Sequence, residues 1–379
     1  MVYIRKYVPF LFFAFSFVLL LKFLFLFGYP DFLVHYYSPS VLLSGGNPYT
    51  FSNKPFLPNV YPPVTIISFF PLSFFPLFVA ERIWGLISLA SLILSVYLLF
   101  KTYKKNIFSS LGFVVLGLVF LSFPVKFTMG MGQINNLILM IIALSIYLIK
   151  RKKILLSAFS LSLALSMKFF PIFFLLYFLL KREWKIFISI IFFFAFLNLL
   201  VFIIYPELVS YFYSKVFINF LYGWKTDYFN QSLTGFLGRN FTDIYLREFT
   251  RTIMSVFFAI VSFYVIYKTK NINKLIYFHL SLLITLGLII NNFSWQHHFV
   301  FMIIPFLFTL FYLLDKKNYR GLAVLFIAYL LVSFNFKDPS HFSPLLTSHV
   351  LYGVVLMWVL NIYIILKDFQ KPRQGLIKA

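Results

Sequence analysis

Apolar stretches recur along the whole of this 379-residue chain, and short polar clusters separate them. Most of the stretches carry no polar stripe of helical period, so in water they would have no face to expose. The solvent that suits them is lipid, and the element that satisfies every backbone group there is a helix. Twelve segments are long and apolar enough to cross or enter a bilayer: 8–27, 80–100, 107–124, 133–149, 154–167, 169–180, 186–204, 249–267, 273–290, 298–314, 321–335 and 348–366. The pattern therefore predicts an all-α polytopic membrane protein, a bundle of about 12 transmembrane or membrane-entering helices. No small-residue cleavage site follows the first run, so it is expected to be a retained helix rather than a signal peptide.

Two segments depart from a simple span. Tyr61 to Phe78, "YPPVTIISFFPLSFFPLF", is apolar but carries prolines at 62, 63, 71 and 76. Proline in a helix interior removes a hydrogen bond and clashes with the preceding turn, so this stretch is expected on or in the membrane surface, not across it. Between Lys153 and Lys181 only 27 residues are available. Two crossings of a core about 30 Å thick need about 40 residues at 1.5 Å each. A helix pair broken near "MKFFP", Met167 to Pro171, is expected instead. It would leave Lys168 at a membrane boundary, where an ammonium needs an anionic partner.

Charge fixes an orientation. Seven basic clusters (Arg5-Lys6, Lys101 to Lys105, Lys150 to Lys153, Lys181 to Lys185, Lys268 to Lys274, Lys316 to Arg320 and the tail from Lys367) fall on one side of the predicted bundle. They hold 22 of the 33 basic residues and three of the ten acids, Glu183, Asp315 and Asp368. Positive residues favour the cytoplasm, so both termini are expected there. The first outer loop then runs over about 28–79 and the second over about 205–247, with the chain, 1–379, forming one domain. The net charge of +23 would suit nucleic acid, but its confinement to short clusters between apolar runs points to membrane orientation, and no nucleic-acid partner is expected. The chain has no cysteine, so it has neither a disulfide nor a Cys-based metal site.

Candidate chemistry gathers on the predicted outer side. Asp31 in "GYPDFLVHYY" follows Pro30 at the start of a possible helix and suits an N-cap. It also suits a base held at the water–lipid boundary, with His35 one turn later on the same face. "SGGNPYTF" offers glycines to end that helix and an Asn-Pro turn. "FPVKFTMGMGQINN" places Lys126 among apolar residues and supplies Gly130 and Gly132, which allow a tight approach of backbone to a ligand; an ordinary loop with a snorkelling lysine is the plainer reading. "YFNQSLTGFLGRN" concentrates Asn230, Gln231, Ser232 and Arg239. Asn230, Asn240 and Asn292 each begin an N-x-[ST] triplet, a pattern common by chance and not taken as glycosylation. "NNFSWQHHFVFMIIP" carries His297 and His298 side by side. Neighbours on a helix point about 100° apart and chelate one metal poorly. With no acidic D-x-D pair in the chain, neither a catalytic metal nor another cofactor is expected. A histidine donating to a phosphate fits better, with interfacial packing of Trp295 as the plainer reading.

An early Asp in the first outer loop, followed by "GGNPY" and "YPPV", resembles the polyprenyl-phosphate-sugar-dependent glycosyltransferases of the GT-C superfamily, and within them glycosyltransferase family 87. "GQINN" at 132–136, "MKFFP" at 167–171, "NQSLTG" at 230–235 and "SWQHH" at 294–298 are similar to that family's patches, in the same order, over roughly residues 28–305. The resemblance implies a GT-C-like bundle, a polyprenyl-phosphate-linked sugar donor, a lipid or glycan acceptor, inverting transfer and no metal. It implies Asp31 as the catalytic base, with Lys168, Arg239, His297, His298 and Lys126 at the donor phosphate. His35, Tyr49, Gln133, Asn135, Asn230, Gln231 and Trp295 would line the substrates. A transporter or flippase for a lipid-linked sugar is the alternative. Such proteins often show inverted repeats and ionisable groups at the midplane, and neither is apparent in this sequence.

Overall fold

The structure is a computed structural model that describes residues 2–25, 28–53, 58–222 and 226–376, with side chains described between 7 and 367 except at 220–222. The last two residues of the first expected span, the side chains of Arg5 and Lys6, and those of the tail beyond Lys367 lie outside this description. The protein is all-helical, 79% helix, with no strand among the described residues. Among the described residues, seven helices are long and apolar enough to cross a membrane: Tyr7–Phe25, Leu77–Thr102, Trp184–Ile204, Ile244–Thr269, Asn273–Ile290, Gln296–Asp315 and Leu346–Lys367. The pair Ser110–Leu121 and Phe123–Met131, bent by 57°, makes an eighth if counted as one span. The chain is an integral membrane protein.

The expected segments at 133–149, 154–167 and 321–335 are helices, but of 16, 14 and 15 residues. At 1.5 Å per residue each is some 21–24 Å long, short of a core of about 30 Å. The segment expected at 169–180 forms a nine-residue helix. Hydropathy located these elements, and their lengths set them apart from full spans.

The chain divides into two compact units, Met1–Ile172 with Lys185–Gly223, and Phe173–Trp184 with Trp224–Ala379. In the first, α1 (Val2–Phe25) packs on α6 (Ser110–Leu121), and α8 (Asn135–Lys150) packs between α5 (Leu77–Thr102) and α9 (Ile154–Met167). Small polar residues let α8 and α9 approach: Ser145 and Ser157 meet hydroxyl to hydroxyl at 2.8 Å. Between α1 and α5 lie α2 (Pro30–Leu43), α3 (Pro63–Ser68) and α4 (Phe70–Ser73). The proline-rich segment is thus two short helices, with Pro63 and Pro71 at their first turns and Pro76 just before α5. That is where proline's missing N–H costs nothing.

The "MKFFP" break also appears. α9 ends at Met167, Lys168 is extended (φ −157°, ψ 127°), and the next helix, α10 (Ile172–Leu180), starts just after Pro171. α11 (Trp184–Ile204), α12 (Pro206–Tyr211) and α13 (Phe217–Tyr222) follow. In the second unit, after α14 (Leu233–Asn240), the helix α16 (Ile276–Ile290) packs against α15 (Ile244–Thr269), α17 (Ile303–Asp315) and α19 (His349–Leu376), while α18 (Tyr319–Ser333) packs on α17 and α19. Buried polar pairs join these helices: Trp358 Nε1 donates to Ser262 Oγ at 2.9 Å, and Thr309 Oγ1 to Asn361 Oδ1 at 3.2 Å. In an apolar medium such pairs contribute about 0.6 kcal/mol on average.

Four of the basic clusters share one helix closure. Lys104, Lys152, Arg182 and Lys317 adopt left-handed backbone, φ 50–58°. The next residue's N–H returns to the carbonyl five residues back, at 2.9 Å in each: Lys105 to Phe100, Lys153 to Leu148, Glu183 to Phe178, Asn318 to Leu313. Left-handed backbone costs an L-residue about 1–2 kcal/mol. The closure offsets it by satisfying a terminal carbonyl, and the cation lies beside the negative end of the helix dipole.

The turn between α7 (Phe123–Met131) and α8 packs against the start of α2. Gly132 caps α7 in left-handed backbone, φ 68°. A Cβ there would stand 2.6 Å from Tyr29 Cβ and 2.8 Å from Phe32 Cβ. Trp84 Nε1 on α5 donates to the Gly132 carbonyl at 2.8 Å and pins the turn. Gly132→Ala is expected to lower the melting temperature of the detergent-purified protein, because about 1–2 kcal/mol of backbone strain adds to a backbone-level clash. Gly28→Ala, where an added Cβ meets nothing within 4 Å, is expected to leave it unchanged.

Candidate functional site

Asp31 is the second residue of α2, whose N-cap is Tyr29 with no side-chain cap. The capping role open to Asp31 on sequence is therefore not the one it takes. Its Oδ2 accepts from Gln133 Nε2 at 2.5 Å. Gln133 directly follows Gly132, so the close approach that the glycine allows is what brings the amide to the carboxylate. The Gln133 Oε1 accepts from the Tyr61 hydroxyl at 2.8 Å. Tyr61 is held in turn by its neighbours: its N–H donates to Asn59 Oδ1 at 2.7 Å, and its carbonyl accepts from the Tyr49 hydroxyl at 2.8 Å. Asn59 Nδ2 donates to Ser38 Oγ at 2.7 Å. Ser38 lies two turns along α2 from Asp31, so the circuit begins and ends on one helix.

A cation completes the group. Lys168 Nζ donates to Asn135 Oδ1 at 2.6 Å and lies 5.8 Å from the centre of the Tyr61 ring. Its position follows from the break after α9, where Thr65 Oγ1 on α3 donates to the Met167 carbonyl at 2.7 Å. Burial pushes the Asp31 carboxyl up from the usual carboxylate range, while the Gln133 hydrogen bond and the Lys168 charge hold it down. Burial lowers the Lys168 ammonium to about 7 against the raising effect of Asp31. Asp31 and Lys168 each keep part of their surface open, whereas Gln133 and Asn135 are buried. One carboxylate and one ammonium thus face a potential ligand from a shell of buried amides. Such a group can take a proton and can pair with an anion.

The first unit also contains His35, Tyr49 and Lys126. His35 is fully buried, its ring 4.4 Å from the ring centres of both Tyr61 and Phe69. Neither ring nitrogen has a hydrogen-bond partner in the structure. Burial drives it down to about 3, so it is neutral packing behind Asp31 rather than an exposed donor. Tyr49 is buried with Ile66, Leu208 and Phe212 and reaches the site only by holding Tyr61. Lys126 lies on α7, the helix that leads into Gly132 and Gln133.

The second unit holds the other expected residues. Asn230 and Trp295 form an isolated antiparallel bridge, flanked by Gln231 N–H to the Ser294 carbonyl and Gln296 N–H to the Phe229 carbonyl, both 2.8 Å. Ser232 caps α14 by accepting from Gly235 N–H, and a Cβ on Gly235 would stand 2.1 Å from the Asn230 carbonyl oxygen. Asn230 and Gln231 are fully buried; Asn230 Nδ2 donates to the Asn292 carbonyl, and Gln231 Nε2 to the carbonyls of Tyr228 and Thr347. Arg239 Nη1 donates to the carbonyls of Asp227 and Asn230, and Nη2 to Ser348 Oγ. Burial lowers its guanidinium to about 10. These side chains hold the bridge and the following helix together. His297 and His298 lie on a 3₁₀ helix, Gln296–Met302, not on the α-helix expected, with ring centres 4.5 Å apart; His297 is buried and His298 partly exposed.

Sequence reasoning passed over Tyr61, Asn59 and Ser38. The signal for Tyr61 was its place in "NVYPPV", a polar aromatic just before two prolines that forbid a regular helix. It also passed over Tyr228, whose hydroxyl donates to Asn335 Oδ1 at 3.0 Å and accepts from the Phe336 N–H at 3.1 Å. No group of three or more His, Cys, Asp or Glu suited to a metal occurs among the described residues.

Comparison with curated proteins gave no match, and neither did comparison with solved structures. A family model, glycosyltransferase family 87, matches residues 59–291. This stretch includes Tyr61, Gln133, Asn135, Lys168 and Arg239; Asp31 and the 294–298 patch lie outside it. The matched stretch is more than half of a chain whose apolar helices carry an ammonium and buried amides around one carboxylate, so the chain belongs to glycosyltransferase family 87 and is a membrane glycosyltransferase.

Proposed function

We propose that this glycosyltransferase moves a hexose, mannose before others, from a polyprenyl-phosphate donor to a hydroxyl of a lipid or glycan acceptor. Transfer would invert the anomeric centre, need no metal, and occur on the outer face of the plasma membrane, with both termini cytoplasmic. The seven or eight spans and the shorter apolar helices would together form a GT-C-like bundle of about twelve crossing or entering segments. The observation that carries the reading is the Asp31 carboxylate, partly exposed, oriented by Gln133 and acted on by the charge of Lys168.

In the proposed step the acceptor oxygen attacks the anomeric carbon from the face opposite the phosphate. Its proton passes to Asp31 as the new C–O bond forms. The bond from that carbon to the phosphate oxygen breaks, and polyprenyl phosphate leaves with the electron pair. Lys168 would stabilise the charge growing on the departing phosphate, where poor hydration strengthens the effect. Arg239, His297, His298 and Lys126 remain candidates for the donor phosphate, and Trp295 for the sugar or lipid. The backbone and Ser348 contacts of Arg239 favour a supporting role for it.

Asp31→Asn keeps the shape and can still accept the Gln133 hydrogen bond, but cannot take a proton at neutral pH. Its transfer rate is expected to fall roughly 100-fold or more, with donor affinity and melting temperature close to wild type. Transfer within a few-fold of wild type would remove Asp31 as base. Lys168→Met is expected to weaken binding of polyprenyl-phosphate mannose about 10–100-fold, the scale of a lost charge-assisted hydrogen bond.

The pH dependence of kcat/KM carries its own sign. Asp31 acts as a base only when ionised, so activity rises with pH through a limb above the usual carboxylate range. Lys168 attracts phosphate only when protonated, so activity falls as pH passes about 7. Lys168→Arg, whose guanidinium stays charged, is expected to remove that fall; a profile unaffected by it would assign the fall to another group.

Orientation is tested with single cysteines in this cysteine-free chain. Ser52→Cys is expected to react with an impermeant maleimide in intact cells and Phe108→Cys only after lysis. The reverse pattern would put the Asp31 cluster on the cytoplasmic face.

A further inference from the structure

We propose that Tyr61 and Gln133 act as a positioning pair for Asp31, the tyrosine hydroxyl strengthening the donation of the glutamine amide to the carboxylate. The inference rests on the reading of Asp31 as the base and adds two residues that act through it.

A glutamine amide presents an acceptor at one end and donors at the other, and the two ends are nearly the same size. Its neighbours decide which way it points. Here Nε2 faces Asp31 and Oε1 faces Tyr61. While Asp31 is ionised, the carboxylate alone enforces this, because it can only accept. By donating to Oε1, the Tyr61 hydroxyl draws electron density from the amide and makes its N–H the stronger donor to Asp31. Burial pushes the Tyr61 phenol up, so it remains a donor across the working pH range.

The pair is anchored well enough to do this. Gln133 is buried, so water does not readily replace either partner. Tyr61 is held through Asn59 to Ser38 and through Tyr49, in the circuit that returns to α2. A tyrosine present only for packing would not need its hydroxyl on this amide.

Other ionisable groups around α2 do not substitute for the pair. Lys168 acts on Asp31 through its charge. His35 is neutral and buried. Of the helices packed on α2, α3 and α4 carry no titratable side chain, α7 carries Lys126, and α5 carries Glu81 and Arg82, whose charges act on Tyr29, with Tyr97 and Lys101 toward its other end.

The test reads the Asp31 carboxyl directly. The detergent-purified full chain is treated with a carbodiimide and an amine across a pH series, and modification of Asp31 is followed by peptide mass spectrometry. Reaction requires the protonated carboxyl, so its midpoint reports protonation without any substrate. Gln133→Met removes the donor and is expected to raise the midpoint by about one pH unit. Tyr61→Phe, the milder change, is expected to raise it by about half as much. The double variant should match Gln133→Met alone, since the tyrosine acts only through the glutamine. The rising limb of kcat/KM with polyprenyl-phosphate mannose should move by the same amounts, and in Tyr61→Phe the rate above that limb should recover to within about three-fold of wild type. Unmoved midpoints, additive shifts, or a rate depressed equally at every pH would overturn the proposal. Moved midpoints with an unmoved limb would instead show that the pair orients Asp31 while Asp31 is not the base, a failure of the underlying reading.

Discussion

The hydrogen bond from the Gln133 amide to the Asp31 carboxylate is the contact on which the rest of this site depends. A carboxylate in an apolar protein is stable only if its lost hydration is replaced, and a buried amide with one end committed to it does so. The bond requires the α7–α8 turn to come against α2 at backbone distance. Gly132 permits that approach, and Trp84 holds the turn there. The short helices α3 and α4, broken from a longer apolar run by proline, and the loop before them supply Tyr61 and Thr65. Thr65 then ties the end of α9, and with it Lys168, to the same place. Membrane helices in the first unit are thus a scaffold for a few polar contacts made where the helices stop.

Much of this was legible in the sequence because it depends on local rules. Hydropathy located the helical segments, proline spacing in 61–78 predicted interruption rather than a span, and the shortage of residues between Lys153 and Lys181 predicted the break at "MKFFP". Gly132 was marked for close approach of backbone to a ligand; the approach it allows in the structure is to Tyr29 and Phe32. The number of full spans was less legible, because an apolar helix of 14–16 residues has the composition of a span without its length.

What sequence could not separate was contact with a ligand from contact with the protein's own backbone. Asn230, Gln231 and Arg239 stood out as polarity in an apolar chain, yet their side chains satisfy carbonyls around the Asn230–Trp295 bridge. Irregular backbone in a protein of this composition needs internal donors, and buried amides supply them as readily as they would bind sugar. His35 followed Asp31 at helical spacing but is enclosed by Tyr61 and Phe69. Tyr61 and Gln133 are 72 residues apart, and no local pattern pairs them.

Among the described residues no second acid joins Asp31 in its cluster, and that constrains the chemistry. Retention by double displacement needs one group to form a covalent sugar intermediate and another to activate the acceptor. The Asp31 cluster offers one carboxylate, which fits the single displacement proposed. The most direct measurement is therefore the anomeric configuration of the first product, read by NMR from wild-type enzyme supplied with a β-linked polyprenyl-phosphate mannose donor. The account predicts an α-linked product from the first turnover. A β-linked product would contradict it, because transfer would then retain the configuration of the donor.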